Sequence, residues 1–100
     1  MSVAPSQSAP VACRCLVAGR VQGVYYRASA QQRARAAGIA GHARNLDDGR
    51  VEVLVCGDEG SVREFIAWLW IGPSAAKVTE VIVEVVELHP ARLPRDFRTA

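Results

Sequence analysis

This 100-residue chain offers little material for a membrane span, a disulfide framework or a metal centre. No apolar run approaches the ~18 residues that a membrane-crossing helix needs. There are only three cysteines. Cys13 and Cys15 stand two apart on a predicted strand, so they share a face and cannot readily bridge each other. With no Cys-x-x-Cys pair and no nearby histidine to complete a metal site, Cys13, Cys15 and Cys56 read as buried thiols in a reducing compartment. Lysine is almost absent, Lys77 standing against eleven arginines. That imbalance reads as coding bias, so a role for any single arginine has to rest on its position. The net charge of +2 is too small to mark a nucleic-acid binder. The central strands hold no aromatic side chains on which RNA bases could stack, so no nucleic-acid partner is expected. Residues 1–11 carry no charged side chain and lack the basic start and continuous apolar stretch of a signal peptide. They are expected to form a flexible leader on a cytoplasmic protein, with one domain over residues 12–100.

Half the residues are hydrophobic and 22% are charged, which places the chain among globular proteins with a single modest core. Residues 12–18 alternate as a strand, and Gly19–Val24 forms a loop. From Tyr25 to Ala37 the period becomes helical, with Tyr26, Ala30, Ala34 and Ala37 in one stripe and Gly38 as the stop. Residues 39–46 and 50–56 read as strands joined by the turn Asp47-Asp48-Gly49, a hairpin with Asn45 near its tip. Ser61 and Glu64 fit a capping box for a second helix. Its apolar face is Val62, Phe65, Ile66 and Leu69, and Gly72-Pro73 ends it. Trp68 and Trp70 cannot both lie on that face. Val78–Leu88 is a further strand, with Val81, Val83 and Val85 on one side and a blurred phase at Val86–Leu88 that suggests a bulge. Phe97 and Arg98 give a weak signal for a short last strand. The order β-α-β-β-α-β implies an α+β, ferredoxin-like sandwich. Its antiparallel sheet would have four to five strands, with two helices on one face. That fold hosts many functions and decides none.

Chemistry concentrates in Gly19-Arg20-Val21-Gln22-Gly23-Val24-Tyr25-Tyr26-Arg27. Backbone N–H groups at a strand-to-helix junction point outward at the positive end of the helix dipole. The guanidinium of Arg27, in the first helical turn, can fork onto the same anion. The stretch therefore reads as a pocket for a phosphate-sized oxyanion. Gly19 and Gly23 supply backbone freedom or close approach. The loop has no His, Asp or Glu to act as a strong general base. His42 reads as a strand-face residue, and Asp47 and Asp48 as hairpin residues.

The segment Val17–Arg27 closely resembles the first signature of the acylphosphatase family, and Gly41–Glu52 resembles its second. Gly72-Pro73 followed by Ala76 and Val78 is similar to the family's helix-to-strand connection. The resemblance extends from about Cys13 to Phe97. It implies a small monomeric enzyme that hydrolyses carboxyl phosphates to a carboxylate and inorganic phosphate, with no metal and no cofactor. Its partners would be an acyl phosphate and inorganic phosphate, with no membrane involved. The phosphate-binding arginine of the family falls on Arg27, and the water-orienting asparagine on Asn45. The amides that hold phosphate fall on Arg20, Val21, Gln22, Gly23 and Val24. His42 stands where tryptophan is usual, Ala43 where a larger aliphatic is usual, and Tyr26 where phenylalanine is commoner. An acyl phosphate already carries a good leaving group, so the remaining work is to place a water in line and stabilise the phosphoryl oxygens. A neutral asparagine can align a water but cannot take its proton, and the phosphate itself is a candidate acceptor. The rival reading is a non-catalytic anion-binding module that retains the cradle.

Overall fold

The alternating apolar pattern of the first strand extends further than its sequence boundaries suggest. In the computed structural model, which describes residues 10–100, β1 spans Val11–Arg20. Most of the expected leader lies outside the described residues, and Val11 already belongs to β1. The other elements are α1 (Tyr26–Ala36), β2 (Ala40–Asn45), β3 (Val51–Gly57), α2 (Glu59–Leu69), β4 (Lys77–Val86) and β5 (Phe97–Thr99), with a short 3-10 helix at Pro90–Arg92 before β5. The sheet order is β4-β1-β3-β2-β5. β1 lies inside the sheet, pairing antiparallel with both β3 and β4. No helix among the described residues is long and apolar enough to cross a membrane.

The fold is the expected α+β sandwich, with one correction. β2 and β5 pair in parallel, Gly41 opposite Phe97, so the sheet is mixed and not purely antiparallel. A strand returning from β4 runs opposite to β4, and β2 already runs in that direction.

The core lies between the sheet and the two helices. Cys15, Val17, Val51, Val53 and Val55 are fully buried beneath Tyr26, Ala30 and Ala34 of α1 and Val62, Phe65 and Leu69 of α2. Burying one such large side chain is worth about 1.5–3 kcal/mol. That explains how β5, only three residues long, stays attached: Phe97 is fully buried against Phe65. The three cysteines are free and buried, and burial beside Cys13 pushes the Cys15 thiol up to about 12. Small alanines let α1 lie close to the sheet, though Ala37 is exposed because Gly38, at φ 72°, turns the chain away.

Other expectations shift in detail. The cap of α2 is Asp58, whose carboxylate accepts from the Ser61 amide at 2.9 Å, so Ser61 sits inside the helix and does not cap it. A charged carboxylate at that point answers the helix dipole better than a hydroxyl. The irregularity of β4 lies opposite Ala18 and Gly19 instead of at Val86–Leu88, where the strand simply ends. Trp68 packs between Tyr26 and Phe65, each at 5.9 Å between ring centres, while Trp70 is half exposed.

The three departures from the family pattern each have a structural partner. The Tyr26 hydroxyl donates to the Leu69 carbonyl at 2.6 Å, tying α1 to α2, and burial pushes its pKa up so that it stays a donor. Ala43 is fully buried under α1. His42 lies on the opposite, helix-free face, with Nε2 3.0 Å from Glu52. Glu52 also accepts from Arg14 Nε at 2.6 Å and Arg44 Nε at 2.7 Å. Burial pushes its carboxyl upward, but these hydrogen bonds outweigh it and hold the pKa at about 2. One buried carboxylate thus links β1, β2 and β3.

Candidate active site

Gly19 and Arg20 belong to β1, not to the loop, and pair with Val78 and Lys77 past a bulge that skips Thr79. Gly19 has φ 123°, and a Cβ there would strike the Lys77 carbonyl oxygen. Only glycine fits so close a strand crossing. The chain then leaves the sheet. Val21 and Val24 are buried and draw the loop onto the core, while Gly23, at φ 77°, faces outward.

Gln22 turns its side chain toward the hairpin. Its Nε2 donates to the Leu46 carbonyl at 2.9 Å and to the Arg50 carbonyl at 3.0 Å, the two residues that close the β2–β3 turn. Within the turn, Asp48 accepts from both the amide and Nε of Arg50, at 3.0 and 2.8 Å. Asn45 is the last residue of β2, opposite Val51, so the Gln22 clamp fixes the loop against the hairpin end that carries Asn45.

Tyr25 precedes α1 with φ 64° and ψ 24°, in the left-handed region, and no side chain caps the helix. The first turn contains no acidic residue. The first N–H groups of a helix have no intrahelical partner, so here they are open to an anion. They border a cavity of about 400 Å³ lined by Val21, Gly23, Tyr25, Arg27 and Asn45, with Tyr26, Ala28, Gln31 and Thr99 completing the wall. Arg27 is half-buried, and its Nη1 donates to the Ala100 carbonyl oxygen at 2.7 Å. Gln31 Nε2 donates to the Phe97 carbonyl at 3.0 Å, fixing α1 against β5.

Arg27, Asn45, Val21 and Gly23 are therefore brought together. Arg20, Gln22 and Val24 add no side chain to the cavity wall: Arg20 is exposed on β1, Gln22 faces the hairpin and Val24 faces the core. Sequence reasoning missed Tyr25, Gln31 and Thr99 as wall residues. Gln31 could have been found, since it lies one turn after Arg27 on the same helix face. Thr99 sits on the weakly signalled last strand, and nothing in the sequence marks the backbone of Tyr25. A larger groove, about 700 Å³, runs between α1 and α2 over Phe65 and Trp68, with the Arg33 guanidinium 5.3 Å from the Trp68 ring. It lacks the convergence of guanidinium, helix start and carboxamide that makes the smaller cavity suited to an oxyanion and a water.

Comparison with known proteins points the same way. The Acylphosphatase family model matches residues 13–99. An acylphosphatase of Xanthomonas euvesicatoria is 54% identical over 88 residues, covering 88% of this chain and 97% of the relative. One from Chromohalobacter salexigens is 52% identical over 80 residues, covering 77% of this chain and 89% of the relative. Among solved structures, an acylphosphatase from Coxiella burnetii superposes with a TM-score of 0.84 at 31% identity, covering 98% of this chain and all of that one.

Proposed function

The chain belongs to the acylphosphatase family and is an acylphosphatase hydrolase; from that premise we propose how its cavity hydrolyses an acyl phosphate. The phosphoryl oxygens bind the backbone amides from Arg20 to Val24 and the guanidinium of Arg27. Asn45 orients a water in line with the bond to the acyl oxygen. As the water oxygen bonds to phosphorus, the P–O bond to the acyl group breaks and the carboxylate leaves with the bonding electrons. The water's proton passes to a phosphoryl oxygen. The products are a carboxylate and inorganic phosphate, and no side chain needs to act as a base. Positioning and electrostatic stabilisation do the work.

The observation that carries this reading is the uncapped start of α1 opening, with Arg27 and Asn45, onto one cavity. Gln22 supports it by holding the loop to the hairpin of Asn45. The proposal extends to a monomer working in the cytoplasm, with residues 12–100 as the catalytic domain, no nucleic-acid partner, and turnover that persists in a chelator.

The test is hydrolysis of benzoyl phosphate by the wild type and by Arg27→Ala in parallel, with inorganic phosphate as competitor. Wild-type turnover with competitive inhibition is expected. Losing the guanidinium should cost about a thousandfold in kcat/KM, the upper range for removing one oxyanion donor. Full activity in Arg27→Ala overturns the assignment. Phosphate binding without wild-type turnover favours the anion-binding module instead.

A further inference from the structure

Tyr25 is the one residue other than glycine with positive φ among the described residues. A bulky side chain in the left-handed region is strained, and glycine or asparagine would occupy it at less cost. The ring does not recover that cost by packing. It is 83% exposed, in contrast to Tyr26 beside it, which is 1% exposed and hydrogen-bonded. No cap is gained either, since the Tyr25 side chain makes no capping bond to α1. What Tyr25 does contribute is a position in the wall of the cavity next to Arg27 and Asn45, with its ring left exposed there.

The remaining wall cannot offer an extended apolar surface to a ligand. Val21 and Tyr26 are buried, Gly23 and Ala28 are small, and Gln31 and Thr99 are polar. With the phosphoryl group held at the start of α1, in-line attack sends the leaving acyl group to the side opposite the attacking water. We propose that the Tyr25 ring is the acyl-group contact of this site and selects substrates whose acyl group is flat and aromatic. This rests on the acyl phosphate hydrolysis proposed above. Aromatic faces stack in offset or edge-on arrangements, and an exposed ring beside the phosphoryl site can turn to meet a flat acyl group in either. A small aliphatic acyl group does not reach far enough to gain from it.

The experiment measures kcat/KM for benzoyl phosphate and for acetyl phosphate in the wild type, Tyr25→Gly and Tyr25→Phe. Tyr25→Gly removes the ring and relaxes the backbone, so its folding is not endangered. The ratio of benzoyl to acetyl kcat/KM should fall about tenfold in Tyr25→Gly, in line with the loss of one aromatic contact and its buried area, and be kept by Tyr25→Phe. Any effect common to both substrates cancels in the ratio. An unchanged ratio in Tyr25→Gly, with the wild type hydrolysing both substrates, overturns the role of Tyr25 and leaves the hydrolase mechanism standing. A wild type inert toward both substrates overturns the two together.

Discussion

α2 starts behind the Asp58 carboxylate, which accepts from the Ser61 amide at 2.9 Å, and carries Glu59 in its first turn. α1 starts behind a tyrosine in the left-handed region, with no side-chain cap, no acidic residue and Arg27 as its second residue. Both helices are eleven residues long and both follow a strand of the same sheet. A side-chain cap contributes about 1 kcal/mol and an acidic first turn adds to it, so α2 is built as a stable helix is built. α1 forgoes both contributions and is held from other directions, by Tyr26 on Leu69 and Gln31 on Phe97. Its free N–H groups remain available to a ligand, as do the donors of the Arg27 guanidinium other than the one that Nη1 gives to the Ala100 carbonyl. The local rules for helix stability are met where the helix is structural and left unmet where it meets the cavity.

The contrast can be broken from either end. The largest effect is expected at Arg27. Beyond the loss in Arg27→Ala, Arg27→Lys should recover little of the ~10³-fold deficit, because a point charge cannot replace two parallel donors. Steady-state kinetics of the two variants would show this, and near-wild-type activity in the lysine variant would mean that charge alone suffices. Next, Asn45→Ala should lower kcat by about a hundredfold or more through loss of water alignment, with phosphate affinity largely kept. Competitive inhibition by phosphate separates the two effects, and an equal collapse of affinity would remove the water-orienting role.

Tyr25→Asp sets a carboxylate beside the start of α1. The new negative charge repels an anion held there, so phosphate affinity measured by calorimetry should fall about tenfold or more. Unaltered affinity would mean that the start of α1 is not the anion site. The smallest effect is expected from Asp58→Ala, which leaves α2 uncapped. Denaturant unfolding should show a loss of about 1 kcal/mol, with the inhibition constant of phosphate unmoved.

The sequence makes these two helix starts legible to different degrees. The Val51, Val53, Val55 alternation and the apolar face of α2 identify their elements without ambiguity, because each follows a period set by the backbone. The cap of α2 is misplaced because Asp58 and Ser61 both head acceptable capping patterns, and only the end of β3 at Gly57 decides between them. The parallel β2–β5 pair is hidden from the sequence, since a three-residue strand has no readable period and its partner is distant in the chain. In the cavity, Arg27 and Asn45 are found from two ordered motifs, whereas the clamp by Gln22 and the wall position of Thr99 depend on tertiary placement. The left-handed backbone of Tyr25 has no signal at all, because the residues that usually mark that conformation are glycine and asparagine.

One titration addresses the contrast directly: inorganic phosphate added to the 15N-labelled protein, followed by amide chemical shifts. The expected result is a saturable change confined to the backbone amides from Arg20 to Arg27 and the side-chain amide of Asn45, with Glu59 to Val62 silent. Shifts of equal size at the start of α2, or none at the start of α1, would contradict the assignment of the uncapped helix as the phosphate site.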